Sequence, residues 1–356
     1  MSAPKIHVFV VEDSPVAREL LIHILESDPD MEVIGSACNG EDALRKISHR
    51  RPDVITMDIH MPGIDGFETA RRIMETAPTP IVIVTASANH ADVDMTFRTL
   101  EAGALAIVEK PTGFGGAEHE EGARKLLQTV RLMSEVKVVK RWARAIPETA
   151  KPIQKRAKPI QDVQAAGEIK VVAIGASTGG PVAIHTILDR LPKDFEVPIL
   201  IVQHIAAGFV RGMADWLARD SAFVIHIASQ SERLLPGHVY IAPDGYQMGT
   251  EREGFIVLNP DDRNGGPCPS VSHLFRTVAN VYGQEAVGVL LTGMGRDGAP
   301  ELRLMKEKGA VTIAQDKESS VIFGMPGEAV RLEAATHVLP PAGIAETLAR
   351  IVKKNK

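Results

Sequence analysis

Short apolar, β-branched runs alternate with amphipathic helical stretches along most of the chain, and this alternation restricts the fold more than any other feature. Strands that are apolar on both faces and separated by helices build parallel sheets covered on both sides. The first run is Ile6-His7-Val8-Phe9-Val10-Val11, which reads as a buried strand. A helical pattern follows, with Leu20, Leu21, Ile24 and Leu25 on one face and Asp13-Ser14-Pro15 supplying capping residues and a proline in the first turn. Strand-like runs recur at 31–37, 53–57, 80–85 and 104–108, and helix-like stretches at 41–49, 66–76, 90–101 and 119–138.

The alternation stops near residue 138. Residues 139–168 contain Pro147, Pro152 and Pro159, and a basic run from Lys137 to Lys158 has Glu148 as its only acid. This composition predicts an interdomain linker. A second α/β pattern starts at Lys170, with Val171-Val172-Ala173-Ile174 as a strand, 182–191 as a helix and 198–203 as the next strand. Later strand-like runs lie at 223–228, 238–242, 255–258, 286–292 and 310–314, and the turn-rich stretch 223–258 suits a hairpin insertion. The domains expected are thus 1–138, a linker 139–168, and 169–356, in keeping with a length of 356 residues.

Composition narrows the functional classes. Forty Lys and Arg against 45 Asp and Glu give a net charge of −5, which offers no general attraction to nucleic acid or anionic membrane. Cys38 and Cys268 lie far apart and outside any Cys-x-x-Cys, which argues against a disulfide scaffold or a thiolate zinc site. There is no apolar run of membrane-spanning length. Met1-Ser2-Ala3-Pro4-Lys5 leads directly into the first strand, so no signal peptide and a cytoplasmic location are expected.

Ligands of a parallel sheet bind beyond the carboxyl ends of its strands. Those ends carry Glu12-Asp13, Asp58, Thr85 and Lys110. Three converging acids call for a cation, and an all-oxygen set of this kind suits Mg²⁺. With Lys110 and the Thr85 hydroxyl beside them, the set predicts a carboxylate able to accept a phosphoryl group.

In the second unit, Gly175-Ala176-Ser177-Thr178-Gly179-Gly180 follows a strand and opens a helix. Gly-x-Ser-x-Gly at such a turn is a nucleophile-elbow pattern, but small Gly-rich strand–helix turns also cradle phosphates, and the motif alone leaves both readings open. His204, at the carboxyl end of the next strand, favours the nucleophile, since neighbouring βαβ strands place it beside Ser177. His185, His226 and His238 lie in less suitable contexts. Asp297, in the Gly-rich turn after the strand 286–291, is the leading candidate to orient the imidazole. The order Ser177, His204, Asp297 differs from that of α/β-hydrolases, chymotrypsin and subtilisin.

Residues 5–130 resemble the receiver domain of two-component response regulators. The resemblance rests on Val-Glu-Asp-Ser-Pro at 11–15, Met-Asp-Ile-His-Met-Pro-Gly-Ile-Asp-Gly at 57–66, Thr-Ala at 85–86 and Glu-Lys-Pro at 109–111. It implies a (βα)5 flavodoxin-like parallel sheet and phosphorylation of Asp58 by a histidine kinase. It also implies Mg²⁺ held by Glu12, Asp13, Asp58 and the His60 carbonyl, with Thr85 and Lys110 on the phosphoryl oxygens. Receivers often carry an aromatic switch residue three positions before the lysine, where this chain has Ile107.

Residues 169–350 resemble chemotaxis protein-glutamate methylesterases, the CheB family. The matching motifs are Ile-Gly-Ala-Ser-Thr-Gly-Gly at 174–180, Val-Gln-His at 202–204, Pro-Gly-His-Val-Tyr-Ile-Ala-Pro at 236–243, Pro-Ser-Val at 269–271, Leu-Leu-Thr-Gly-Met-Gly-Arg-Asp-Gly-Ala at 290–299, Thr-Ile-Ala-Gln-Asp at 312–316 and Phe-Gly-Met-Pro at 323–326. This resemblance implies a doubly wound, mainly parallel α/β catalytic domain with a β-hairpin insertion and a Ser177–His204–Asp297 triad. Thr178 would line the cleft and Met294 would help to form the oxyanion site. It further implies a phosphorylation-activated hydrolase of glutamate γ-methyl esters on chemoreceptor cytoplasmic domains, with deamidation of receptor glutamines, and no cofactor in the esterase domain. Ser272-His273 and Pro300-Glu301 depart from the family pattern, and neither pair is expected to touch the triad.

Overall fold

The computed structural model describes residues 5–85, 90–111, 116–136, 138, 168–251, 253–261 and 266–353. The basic run and nearly all of the linker expected at 139–168 lie outside these residues. In the first unit, strands β1 (Ile6–Val11), β2 (Met31–Ala37), β3 (Val54–Met57), β4 (Ile81–Thr85) and β5 (Ala106–Glu109) alternate with helices α1 (Pro15–Glu26), α2 (Gly40–His49), α3 (Gly66–Thr76), α4 (His90–Ala102) and α5 (Ala117–Ser134). The sheet order is β2-β1-β3-β4-β5, and every pairing is parallel. β3 and β4 are buried along their whole length, as strands covered on both faces must be. Ser14 caps α1, with its hydroxyl accepting from the Ala17 amide at 3.4 Å and Pro15 in the first turn, as the sequence indicates.

The second unit is built on a seven-stranded parallel sheet of order β14-β13-β12-β6-β7-β9-β8. Its strands are β6 (Val171–Ala176), β7 (Ile199–Gln203), β8 (Val224–Ile227), β9 (His238–Ile241), β12 (Ala286–Leu290), β13 (Val311–Gln315) and β14 (His337–Leu339). The turn-rich stretch divides differently from expectation. β8 and β9 join the main sheet in parallel, and only β10 (Tyr246–Glu251) and β11 (Phe255–Pro260) form a separate antiparallel hairpin. β9 brings Val239, Tyr240 and Ile241 into the core, with Ile225 and Ile227 of β8 packed against it, whereas Met248 and Ile256 of the hairpin share a core cluster with Phe275 of helix α8 (Val271–Tyr282). The remaining helices are α6 (Gly180–Arg190), α7 (Val210–Asp220), α9 (Ala299–Glu307), α10 (Met325–Arg331) and α11 (Pro341–Lys353).

The two units share a contact. Trp216 of α7 is 3% exposed and stacks on Phe97 of α4 with ring centroids 5.2 Å apart. It also stacks on His185 of α6 at 4.8 Å, and its indole N–H donates to Glu101 Oε1 at 2.8 Å. Thus His185, set aside as a catalytic base on sequence grounds, contributes a ring to this joint.

Candidate active site

The strand order puts the three candidate residues at one sheet edge. β12, β6 and β7 are adjacent, with Leu290 opposite Gly175 and Ala176 opposite Gln203. Ser177, His204 and the loop beginning at Thr292 therefore leave the sheet side by side at its carboxyl end, where parallel sheets place their ligands. Backbone bonds fix the turns: the His204 amide donates to Ala176 O at 2.9 Å and the Ser177 amide to Thr292 O at 3.0 Å. Gly293 backs Ser177 so closely that a Cβ there would lie 2.6 Å from Ser177 Cβ. Gly179 caps α6 at φ 77°, a left-handed conformation that glycine adopts without strain.

His204 Nε2 lies 2.9 Å from Asp297 Oδ2. That carboxylate is held by three further donors at the start of α8. Ser270 Oγ donates to Oδ1 at 2.9 Å, the Val271 amide to Oδ2 at 2.7 Å, and the Ser272 amide to Oδ1 at 3.0 Å. Burial on its own would raise the Asp297 pKa, but the bonds from His204 and Ser272 outweigh it and pull it down to about 2. A helix N-terminus stabilises an anion in the same sense. The departure at Ser272 is therefore not remote from the site, contrary to the sequence expectation. Its amide holds Asp297, and its hydroxyl accepts from the Gly298 amide at 2.9 Å. Pro300 and Glu301 do stand apart, Glu301 pairing with Arg276 at 2.7 Å.

Ser177, Thr178 and His204 line a cleft of about 400 Å³. Among the described residues, no hydrogen bond engages Ser177 Oγ. Thr178 accepts on its carbonyl from Thr292 Oγ1 at 2.9 Å. The Met294 side chain is 37% exposed and lies outside the cleft wall, while its backbone, in the loop after β12, follows Gly293, which packs on Ser177. No carbonyl among the described residues takes up the Thr178 or Met294 amide. The opposite wall comes from the first unit and includes Leu100, Ile107, Lys125 and Thr129. Ile107, at the position where an aromatic switch residue is frequent, thus lines the same cleft as Ser177 and His204.

Gln203 and Ser270 are participants that sequence reasoning did not single out, although both lie within quoted motifs. Ser270 is the N-cap of α8, and its hydroxyl serves both the His273 amide and Asp297.

At the edge of the first sheet, carboxylate oxygens of Glu12, Asp13 and Asp58 lie within 4.8 Å of one another. Glu12 and Asp58 are buried and Asp13 is exposed. Lys110 Nζ lies 2.7 Å from Asp58 Oδ2 and 2.8 Å from Glu12 Oε2. Burial works against its charge, but the bonds to Asp58 and Glu12 hold its pKa above the ordinary value. Burial raises the pKa of Glu12 despite Lys110. Three carboxylates against one ammonium leave negative charge uncompensated, and an all-oxygen donor set is compatible with a hard divalent cation. Among the described residues Thr85 Oγ1 is buried without a hydrogen-bond partner, and Thr85 ends β4 next to Lys110, whose amide donates to its carbonyl at 2.9 Å. His60, whose carbonyl completes the expected ligand set, follows in the loop after β3 and is exposed.

Known proteins bear on both sites. The family CheB methylesterase matches residues 172–348, and the response regulator receiver domain matches residues 8–116. The protein-glutamate methylesterase/protein-glutamine glutaminase of Nitrosospira multiformis is 56% identical over 98% of this chain and 97% of its own length. Protein-glutamate methylesterase/protein-glutamine glutaminase 1 of Syntrophus aciditrophicus is 51% identical over 97% of this chain and 98% of its own. The crystal structure of the Thermotoga maritima CheB methylesterase catalytic domain aligns with a TM-score of 0.50 at 37% identity, covering 52% of this chain and all of that one. Identity of this extent over both units is family membership: the chain belongs to the receiver-linked CheB methylesterases.

Proposed function

We propose that the protein is a serine esterase gated by phosphorylation of Asp58, acting in the cytoplasm on glutamate γ-methyl esters of chemoreceptor cytoplasmic domains. An amide offers the same carbonyl geometry, so deamidation of receptor glutamines belongs to the same site. The observation that carries the reading is the His204–Asp297 bond, 2.9 Å long, at the edge of the cleft that holds Ser177.

Ser177 Oγ attacks the ester carbonyl. Nε2 of His204 is engaged by Asp297, so Nδ1 is the ring nitrogen left to take the serine proton. The imidazolium then returns that proton to the departing methoxide, which leaves as methanol. In the second half-reaction His204 deprotonates water, which attacks the acyl-serine and releases the glutamate carboxylate. Asp297 keeps the proton on Nε2 in the resting state and stabilises the imidazolium without itself taking a proton. The Thr178 and Met294 amides are the donors for the oxyanion. One such donor contributes about 3–4 kcal/mol to the transition state, so displacing the loop after β12 costs about 10²- to 10³-fold in kcat.

A receptor helix is about 10–12 Å across with its side chains. The cleft of about 400 Å³ under the receiver wall admits a side chain but no helix. Opening therefore requires the receiver to move. Glu12, Asp13 and Asp58 are the side chains that would hold Mg²⁺, which supplies charge balance for phosphoryl transfer to Asp58 from a histidine kinase. Thr85 and Lys110 receive the phosphoryl oxygens and couple Asp58 to β4 and β5, next to the wall carrying Ile107. Taking a 1:99 open population to 99:1 would require phosphorylation to favour the open state by about 5.5 kcal/mol, and any smaller preference gives partial opening. The test is methanol release from methylated receptor with and without a small-molecule phosphodonor. Ser177→Ala abolishes release and Asp58→Asn abolishes the stimulation. Full turnover by Ser177→Ala refutes the assignment.

A further inference from the structure

Gln203 ends β7 between the two reacting residues, and it is 3% exposed. Its carboxamide nitrogen donates to Ser177 O and to His204 O, each at 2.8 Å. Both neighbours are carbonyl oxygens, which can only accept, so the nitrogen must be the atom between them. The side-chain oxygen points the other way and is buried without a partner among the described residues. A Cβ on Gly180 would lie 2.1 Å from that oxygen and 2.7 Å from Ala176 Cβ, so only glycine at the start of α6 leaves room for the carboxamide. An orphaned buried acceptor is unfavourable and persists where the rest of the group is needed.

We propose that Gln203 is a positioning residue for the esterase: its amide group ties the backbone of Ser177 to that of His204 and thereby fixes the distance over which the serine proton passes. The two carbonyls belong to different strand ends, joined otherwise through the β6–β7 ladder and the single His204 N–Ala176 O bond beyond it. Proton transfer needs the two side chains within hydrogen-bond reach, and an offset of an ångström is enough to lose most of it. The proposal rests on the triad reading above.

Gln203→Met keeps an unbranched side chain of similar length and removes both bonds. Its kcat falls about 10- to 100-fold, while KM for methylated receptor stays within about twofold. Labelling of Ser177 by a fluorophosphonate slows by the same factor, and the melting temperature moves little. Gly180→Ala keeps the carboxamide and displaces it, pressing at the same time on Ala176 Cβ at the end of β6. It gives the same selective loss of kcat and serves in its place should Gln203→Met melt early. Because both act through one clamp, the double variant is no slower than the slower single variant. A rise in KM with kcat retained makes Gln203 a substrate contact and overturns the proposal, as does a double variant whose losses multiply. Turnover retained by Ser177→Ala overturns the triad and the clamp together. A dead Ser177→Ala beside a Gln203→Met enzyme with full kcat overturns the clamp alone.

Discussion

Replacing Asp297 by Asn tests the electrostatic core of the site. The carboxylate accepts from four donors: His204 Nε2, Ser270 Oγ and the amides of Val271 and Ser272. An Asn offers one acceptor oxygen and a two-proton donor. If its oxygen keeps the Oδ1 position, with Ser270 Oγ and the Ser272 amide, the new NH₂ takes the Oδ2 position, where it opposes the Val271 amide and faces His204 Nε2, which must then accept. The ring proton moves to Nδ1, the nitrogen that has to receive the serine proton. The loss in kcat is on the order of 10⁴, the size seen when a triad His is held in the wrong tautomer. Stability falls as well, because the difference between the ordinary 3.8 and about 2 for Asp297 corresponds to about 2 kcal/mol held in its ionised form. The sign is that of a depressed carboxyl: the contribution is complete above the unfolded value of 3.8 and is lost as pH falls through about 2. Asp297 itself stays ionised between pH 5 and 8, so an acid limb of activity in that window does not arise from its own titration. The assays are methanol release and thermal unfolding of the two proteins. An Asp297→Asn enzyme within about tenfold of wild-type kcat would refute the role given to the carboxylate.

Other substitutions read other parts of the molecule. Thr85→Ala removes a buried hydroxyl that has no partner, so its melting temperature is unchanged or slightly higher while phosphodonor stimulation is lost. Glu101→Ala leaves the Trp216 indole N–H without its acceptor, weakening the closed joint by about 1–2 kcal/mol; methanol release without phosphodonor then rises by about 5- to 30-fold. Gly293→Ala drives a methyl onto Ser177 Cβ and Met325 Sδ, so turnover falls steeply with the receiver still phosphorylatable, as measured by acyl-phosphate formation. Chelation by EDTA abolishes phosphodonor stimulation, because it removes the divalent cation proposed for the acidic cluster.

The alternation of runs was enough to read both sheets and to place Ser177, His204 and Asp297 at strand ends, because parallel strands buried on both faces leave an uninterrupted apolar signature. Elements without that signature were less legible. β14 (His337–Leu339) has three residues, too few for a period, and β10 (Tyr246–Glu251) is largely polar along its length. The stretch 223–258 looked like one insertion since turn residues mark where strands stop but not which neighbour they pair with. At the site, the donors on Asp297 come from 26 and 25 residues before it in the case of Val271 and Ser272, a contact set by how α8 packs and not by local pattern. Ser270 carried a usable signal, a serine directly before a helical run, which marks an N-cap. Gln203 carried none, since a polar residue closing a buried strand reads as the point where solvent begins.

Ser177 is the proposed nucleophile, and covalent trapping tests that most directly. Treatment of the phosphodonor-activated protein with a fluorophosphonate, followed by peptide mass spectrometry, is predicted to place a single adduct on Ser177, absent from the His204→Ala variant. An enzyme inactivated with its adduct on another residue, or one that continues to release methanol with Ser177 fully modified, contradicts it.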